Sequence, residues 1–342
     1  MRSLLAPRRQ NHRIVINHLS RSVYSFATVD PSRVSKNEVH FVQNLLQGKW
    51  VRSEHDTVVL DPLNGEPFML VPDTKKEEIA PFIESLNSCP KSGLHNPFKK
   101  PERYLMLGSV SAKAAAKLKE PETLDYFTRL VQRVAPKSYF QAQAEVSVTQ
   151  KFLENFGGDQ VRFLARSFQT PGDHEGQISS GYRWPYGPVV IIAPFNFPIE
   201  IPLLQLMGAL YMGNKVLLKV DSKVSVIMEQ ALRLLHECGL PLEDVDFINC
   251  DGETMHSLLL TSKPRMTQFT GSSKVAEILA RDLHGRVKLE DAGWDWKVAT
   301  LTLYTVPCTM YNTFTYHSMV LSPLSSFRSL AQMSLMRNMW PG

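Results

Sequence analysis

The sequence predicts an α/β protein in which a parallel sheet follows a largely helical part of the chain. Between Gly187 and Glu290, short apolar runs alternate with stretches of helical periodicity four times. This alternation is typical of a parallel sheet with helices on both faces. The chain has 342 residues, of which 43% are hydrophobic and 21% charged, so it is long enough for two domains and a large buried core.

Residues 1–28 have the composition of an organellar transit peptide. The first acidic residue is Asp30, and five arginines precede it among Ser and aliphatic residues: Arg2, Arg8, Arg9, Arg13 and Arg21. A basic, acid-free start of this kind is typical of organellar import, and a disordered basic tail is the alternative. We expect residues 1–28 to be disordered, with cleavage between Arg21 and Thr28. No apolar run approaches the roughly 18 residues that span a bilayer, so we predict a soluble organellar protein without a membrane partner.

Residues 29–185 are predicted to be mostly helical, with a hairpin near the start. The segment Val39–Trp50 has apolar residues at positions that suit a short amphipathic helix. The segment Leu60–Pro72 alternates around the turn pair Asn64-Gly65 and predicts a β-hairpin. Helical spacing then dominates residues 75–167.

Residues 186–297 are predicted to form the parallel sheet. The strand-like runs are Pro188–Pro194, Lys215–Val220, Asp244–Asn249, Arg265–Thr270 and Arg286–Glu290. The stretches between them carry apolar residues at helical spacing. Ligands of such sheets bind outside the carboxyl ends of the strands, so the residues that follow each strand are the candidates for a functional site.

Short polar or glycine-containing motifs stand at four of these strand ends. They are Pro194-Phe195-Asn196 after the first strand, Lys219 at the end of the second, Gly271-Ser272 after the fourth and Glu290 at the fifth. Each motif alone is a weak signal, since an Asn before an aromatic-Pro pair can end a strand and a Gly-Ser helix start is commonly only a cap. Their order and spacing along the chain are far more specific.

Charge and cysteine spacing argue against several classes of site. The net charge of +5 is modest and concentrated at the two ends, which does not suggest a nucleic-acid-binding face. The four cysteines, Cys89, Cys238, Cys250 and Cys308, stand far apart without a Cys-x-x-Cys pair. The sequence therefore predicts free thiols, with neither a metal site nor a disulfide scaffold.

The ordered motifs resemble the aldehyde dehydrogenase superfamily, and longer segments are similar to its plant-type Δ1-pyrroline-5-carboxylate dehydrogenases. The segments that carry the finer likeness are Cys89–Tyr104, Gln132–Tyr139, Gly158–Phe168, Gly181–Val189, Pro202–Ser225, Pro241–Asn249 and Leu289–Val298. The resemblance covers about residues 29–297. It implies a Rossmann-like NAD-binding sheet over residues 186–297 and NAD-dependent oxidation of L-glutamate 5-semialdehyde to glutamate, in proline catabolism. It also implies location in the mitochondrial matrix.

The resemblance assigns catalytic roles to two residues. Asn196 would donate its side-chain amide to the oxyanion that forms when a thiolate attacks an aldehyde. Loss of one such donor typically costs about 100- to 1,000-fold in rate. Glu290 would be the general base that activates the water for thioester hydrolysis.

The resemblance also implies an NAD site formed by Pro194, Phe195, Lys219, Gly271 and Ser272. Lys219 would hydrogen-bond the adenosine ribose. Gly271 and Ser272 would open the helix beneath the pyrophosphate, where unpaired N–H groups favour anions. The superfamily commonly has an acidic residue three positions after the lysine, whereas this chain has Ser222 there, with Asp221 adjacent. The choice between NAD and NADP therefore stays open at this stage.

The nucleophile of the family is missing from the expected context. Cys308 is the one Cys after Glu290; it lies 18 residues on, follows Pro307 and has neither Gly nor Gln beside it. Residues 298–342 contain no Asp or Glu and hold five of the thirteen Met. We therefore expect a truncated family member that lacks the catalytic domain and ends in an aberrant, poorly ordered tail.

Two functions follow from these expectations. The first is a family member that binds dinucleotide, with an aldehyde as the family's substrate, but does not turn over. The second is a non-catalytic fragment that binds dinucleotide or pairs with full-length subunits through the segment Ser179–Val189. Whether this chain is itself an enzyme is not decided by the sequence.

Overall fold

The computed structural model describes residues 24–291. The start of the predicted transit peptide and the tail from residue 292, with Cys308, lie outside them. The helices within this range are α1 (Ala80–Asn87), α2 (Glu102–Lys119), α3 (Pro121–Val134), α4 (Tyr139–Asn155), α5 (Glu200–Tyr211), α6 (Ser225–Glu237), α7 (Gly252–Ser262) and α8 (Ser273–Leu283). The strands are β1 (His40–Phe41), β2 (Asn44–Leu46), β3 (Lys49–Val51), β4 (Asp56–Leu60), β5 (Pro67–Pro72), β6 (Ser167–Pro171), β7 (Ile178–Tyr182), β8 (Pro188–Ile192), β9 (Lys215–Lys219), β10 (Val245–Phe247), β11 (Met266–Gly271) and β12 (Val287–Asp291).

A seven-stranded sheet forms the centre, in the order β12-β11-β8-β9-β10-β2-β3. The strands from β8 to β12 pair in parallel, and they lie where the sequence predicted strands. Helices α5 to α8 connect them, as the periodicity indicated. The predicted α/β class is thus confirmed.

Helices cover both faces of this sheet because successive strand residues point to opposite sides. Val189 and Ile191 of β8 join an apolar cluster that includes residues of α2 to α6. Val190, between them, joins a second cluster formed with α1, α7 and α8. The central strands are therefore buried on both faces, which explains their nearly continuous apolar sequence.

The amphipathic helix expected over Val39–Trp50 is wrong, because this segment forms β1, β2 and β3. Gln47 and Gly48 have positive φ angles of 47° and 78° and make the tight turn between β2 and β3. Leu45 pairs with Phe247 of β10, so the hairpin extends the parallel sheet in antiparallel orientation. Long-range pairing with the sheet overrides the local helical spacing.

The other N-terminal elements follow the expectation more closely. β4 and β5 form a hairpin around the predicted turn, but β4 begins before the predicted segment, which contains only its last residue, Leu60. β1 is added parallel to β5. Helices α1 to α4 occupy most of the range from residue 75 to 155. A second hairpin, β6 and β7, forms a separate two-stranded sheet. No helix among residues 24–291 is long and apolar enough to cross a membrane.

The expected disorder does not extend over residues 24–28. Phe26 is buried and stacks on Phe127 of α3 with 5.8 Å between the ring centroids. The backbone N–H of Thr28 donates to Gln230 Oε1 of α6 at 2.9 Å. An aromatic side chain at this position gains more by burial against α3 than the chain loses by ordering.

Candidate functional site

The carboxyl ends of four parallel strands meet at one edge of the central sheet. Ile192, the last residue of β8, pairs with Lys219 of β9 on one side and with Phe269 of β11 on the other. Thr270 in turn pairs with Glu290 of β12. The structure therefore brings Lys219, Glu290 and the loop that follows β8 to the same edge, where the sequence placed the candidate site.

The connection order creates a crevice beside β8. After β8 the chain adds β9 and then β10 on one side, and it returns to add β11 and β12 on the other side. At such a topological switch point the loops from neighbouring strands diverge, and ligands of open α/β sheets bind in the crevice between them. The loop after β8 and the start of α8 flank this crevice.

The loop after β8 presents Asn196 to solvent. Pro194 is partly buried, whereas Phe195, Asn196 and Phe197 are exposed. The chain then turns inward at Ile199, which is buried directly before α5 begins. An exposed amide that sits on the rim of the crevice is available to donate hydrogen bonds to a ligand.

Glu290 is partly buried on β12, and burial raises the pKa of its carboxyl above the ordinary value. A hydrogen bond from the Thr270 hydroxyl acts in the opposite direction and holds the pKa down. Thr270 Oγ1 also accepts a hydrogen bond from Gln205 Nε2 of α5 at 2.9 Å. Because the amide of Gln205 occupies an acceptor position on Oγ1, the hydroxyl proton is directed towards Glu290.

Lys219 lies at the end of β9 with its side chain partly buried. It forms none of the ion pairs found between residues 24 and 291, so its ammonium is available to a ligand. Asp221, the acid closest to it in sequence, accepts the backbone N–H of Lys223 through Oδ1 at 3.0 Å and thereby caps the short 3₁₀ turn Ser222–Val224. One carboxylate oxygen of Asp221 is thus committed to the backbone.

Gly271 and Ser272 lie directly before the first residue of α8. A Cβ on Gly271 would lie 2.6 Å from the ring of Phe269, so a side chain at this position requires the buried Phe269 ring to move. Ser272 is the N-cap residue of α8, makes no side-chain cap hydrogen bond and is exposed. The backbone N–H of Val275 donates to the Ser272 carbonyl at 3.1 Å. The N–H groups of Ser273 and Lys274, at the positive end of the helix dipole, have no hydrogen-bond partner among residues 24–291 and are available to an anion.

The cysteines between residues 24 and 291 do not resemble nucleophiles. Cys89, Cys238 and Cys250 are all buried. Burial raises the pKa of Cys238 to about 11 and that of Cys250 to about 12, so little thiolate forms at neutral pH. Cys308 lies outside the described range. Within that range, no cluster of three or more His, Cys, Asp or Glu residues could hold a metal ion.

Sequence reasoning missed three polar residues that contact the site, namely Gln205, Glu145 and Lys137. Gln205 had a usable signal, because it is a lone amide in the buried run Pro202–Tyr211 and buried amides are normally hydrogen-bonded. Glu145 and Lys137 had none. Glu145 contacts the backbone of residue 199, 54 positions later, and nothing local in α4 indicates that partner.

The fold defines an open α/β protein with a crevice at the switch point of its parallel sheet, and the chain belongs to the aldehyde dehydrogenase family. The sequence profile of that family matches residues 50–295. Over 285 residues the chain is 64% identical to the mitochondrial Δ1-pyrroline-5-carboxylate dehydrogenase 12A1 of Arabidopsis thaliana, a match that covers 83% of this chain and 51% of that protein.

Solved structures show the same fold at low sequence identity. Betaine aldehyde dehydrogenase from Staphylococcus aureus, in complex with NAD⁺, aligns with a TM-score of 0.63 at 17% identity and covers 77% of this chain and 50% of its own. NADP-dependent glyceraldehyde-3-phosphate dehydrogenase from Bacillus halodurans, in complex with NADP, aligns with a TM-score of 0.61 at 20% identity, covering 74% of this chain and 53% of its own.

The chain spans about half the length of the curated relatives that it matches, 51% in one case and 50% in another.

Proposed function

We propose that this chain carries the NAD cradle, the oxyanion donor and the general base of a dehydrogenase for L-glutamate 5-semialdehyde in the mitochondrial matrix. The observation that carries the proposal is the placement of Asn196, Lys219, Gly271 and Glu290 along one sheet edge, beside the switch point. The 64% identity with a mitochondrial Δ1-pyrroline-5-carboxylate dehydrogenase supports the substrate and the compartment. Glutamate 5-semialdehyde is the hydrolysed, open-chain form of Δ1-pyrroline-5-carboxylate, which is a cyclic imine.

The cofactor would be held by Lys219 and the start of α8. Lys219 would donate from its ammonium to ribose hydroxyls, and the free N–H groups at the start of α8, after Gly271 and Ser272, would bind the pyrophosphate. Pro194 and Phe195 border the same crevice. NAD, when bound, supplies a hydride acceptor. Asp221 stands two residues after Lys219, and its negative charge would disfavour the additional phosphate of NADP, which supports NAD as the cofactor.

Asn196 and Glu290 would act on the substrate. Asn196 donates an N–H group to the aldehyde oxygen while negative charge develops on it, which lowers the energy of that state relative to the neutral carbonyl. Glu290 would remove a proton from the water that hydrolyses the thioester intermediate. Because burial raises the pKa of Glu290, its carboxylate is a stronger base near neutral pH than an exposed glutamate would be.

The nucleophilic cysteine of the family is the catalytic group that we do not assign to any residue of this chain. The three cysteines between residues 24 and 291 are buried. Cys250 follows β10 near Lys219, and burial raises the pKa of its thiol to about 12. Cys308 follows Pro307 and lacks the context of the family. We therefore expect the chain as written to bind NAD without oxidising the aldehyde.

Titration of the purified chain with NAD, followed by an assay of NADH formation with glutamate semialdehyde, tests the proposal. The expected result is saturable NAD binding without turnover. A folded chain that does not bind NAD would contradict the proposal. Turnover that disappears in Cys308→Ser would show that the nucleophile is present after all, and turnover that survives both Glu290→Gln and Cys308→Ser would refute the assigned mechanism.

A second candidate function is association with full-length subunits. The hairpin formed by β6 and β7 exposes apolar side chains, with Phe168 and Ile178 each 68% exposed. Exposed apolar side chains on a projecting hairpin are typical of a protein interface. Co-expression with a full-length Δ1-pyrroline-5-carboxylate dehydrogenase tests this function: co-purification that is lost in a Phe168→Ser, Ile178→Ser double variant supports it, and separate elution of the wild-type chain contradicts it.

A further inference from the structure

A buried carboxylate from α4 caps the helix that follows the Asn196 loop. Glu145 is only 2% exposed, and its Oε1 accepts the backbone N–H groups of Ile199 at 2.9 Å and Glu200 at 3.3 Å. Helix α5 has no side-chain cap of its own, because Ile199 occupies its N-cap position. A carboxylate at this place satisfies two otherwise unpaired N–H groups and interacts favourably with the helix dipole.

Lys137 joins the same carboxylate to the loop itself. Its ammonium lies 2.6 Å from Glu145 Oε2 and 4.1 Å from the centroid of the Phe197 ring. The Lys137 side chain is 17% exposed and that of Glu145 1% exposed, so this ion pair is shielded from water. A shielded cation over an aromatic face is attracted more strongly than an exposed one.

The loop after β8 is consequently held at two points, one on each side of Pro198. Phe197 is held through its ring, and Ile199 through its backbone N–H. Asn196, the residue before Phe197, is exposed and makes no side-chain hydrogen bond to another residue between 24 and 291. Its position therefore depends on the backbone of the loop, and that backbone is fixed by its neighbours.

We propose that Glu145 and Lys137 are positioning residues that fix the Asn196 amide at the rim of the crevice. The inference rests on the proposed function, in which Asn196 donates to the oxyanion. Such donors act only when they are held within a few tenths of an ångström of the productive position, so a pair that immobilises the loop acts on the chemistry without touching the substrate.

The test uses the full chain labelled with ¹⁵N only at asparagine. The Asn196 backbone signal is assigned by its loss in Asn196→Gln. In Glu145→Gln the side chain keeps its size but loses its charge, and we expect the Asn196 signal to shift and broaden. Exchange of the Ile199 and Glu200 amides with solvent deuterium should accelerate by about tenfold or more. Glu154→Gln, an exposed carboxylate on the same helix, is the matched control and should change neither quantity.

Substitutions of Lys137 separate positioning from simple stabilisation of α5. Lys137→Met should move the Asn196 signal in the same way, and Lys137→Arg, which retains the cation over Phe197, should restore it. Phe197→Leu removes the ring contact but leaves Glu145 and its backbone hydrogen bonds in place, so it remains informative if the Glu145 variant does not fold. It should also move the Asn196 signal.

The inference is overturned if Glu145→Gln and Lys137→Met lower the melting temperature while the Asn196 signal and the exchange of the loop stay unchanged. These measurements need neither cofactor nor turnover. A failure of the proposed function, such as absent NAD binding, would leave the loop measurements intact, and the two failures can be told apart.

Discussion

Replacing Thr270 with valine should raise the pKa of Glu290 further. The substitution keeps the shape of the side chain but removes the hydroxyl that donates to the Glu290 carboxylate. Thr270 is buried beside Glu290 in the neighbouring strand, so water cannot easily replace the lost donor. The charged form of Glu290 loses a stabilising partner, and its protonated form loses little.

The magnitude follows from the kind of hydrogen bond that is lost. Hydrogen bonds to charged groups contribute about 1.5 to 3 kcal/mol, and the lower end applies here because Glu290 is only partly buried and solvent screens it. A difference of about 1.4 kcal/mol between protonation states corresponds to about one pKa unit. Thr270→Val should therefore raise the pKa of Glu290 by about one unit.

The pKa is measured by NMR titration of glutamate side-chain carboxyl carbons, with Glu290 assigned through Glu290→Gln. Thr267→Val is a matched control, because Thr267 is a buried residue on the same strand whose hydroxyl has no hydrogen-bond partner among residues 24–291. The control should leave the pKa of Glu290 unchanged. A pKa that stays constant or falls in Thr270→Val would refute the conclusion that Thr270 stabilises the carboxylate.

Three further outcomes are expected. Lys219→Met should weaken NAD binding by about tenfold, because one charge-assisted hydrogen bond is lost. Lys223→Met, which changes an exposed lysine nearby, should leave the affinity for NAD unchanged. Calorimetric titration measures the affinity of both variants, and equal affinities would contradict the role of Lys219. Glu290→Gln should unfold at a higher denaturant concentration than wild type at pH 8, because a raised folded-state pKa means that the ionised Glu290 carboxylate costs stability. The difference should shrink as pH falls through the folded-state pKa, and it should disappear well below the ordinary glutamate pKa of 4.5, where Glu290 is protonated in both states. Phe26→Ala should lower the free energy of unfolding by about 3 to 5 kcal/mol; a loss below about 1 kcal/mol would contradict the packed position of Phe26 against Phe127.

The strands of the parallel sheet were predictable because their signal is local. Val189 to Ile192 and Val216 to Leu218 are buried or nearly so on both faces, and an apolar run between turn signals records that burial directly in the sequence. The common location of the candidate residues at the strand ends was also predictable. Parallel strands place their carboxyl ends at one edge, so the order of the motifs fixed their common location.

The segment Val39–Trp50 was not predictable from its own residues. Its conformation depends on pairing with Phe247, about two hundred positions away, and on a turn in which Gln47 adopts a left-handed conformation that non-glycine residues rarely take. The contacts of Glu145 were hidden for a related reason. A glutamate in a helix is ordinarily exposed, and only the tertiary structure shows that this one is buried against the start of α5.

Hydrogen exchange of the full chain with and without NAD tests the central claim most directly, because it reports whether the residues at the sheet edge form one cofactor site. NAD is expected to slow exchange in three separate segments together: residues 194–200, 219–224 and 270–276. The same protection should be absent in Gly271→Val, in which a side chain meets the ring of Phe269. Protection that is absent in the wild-type chain, or that appears only away from these segments, would contradict the claim.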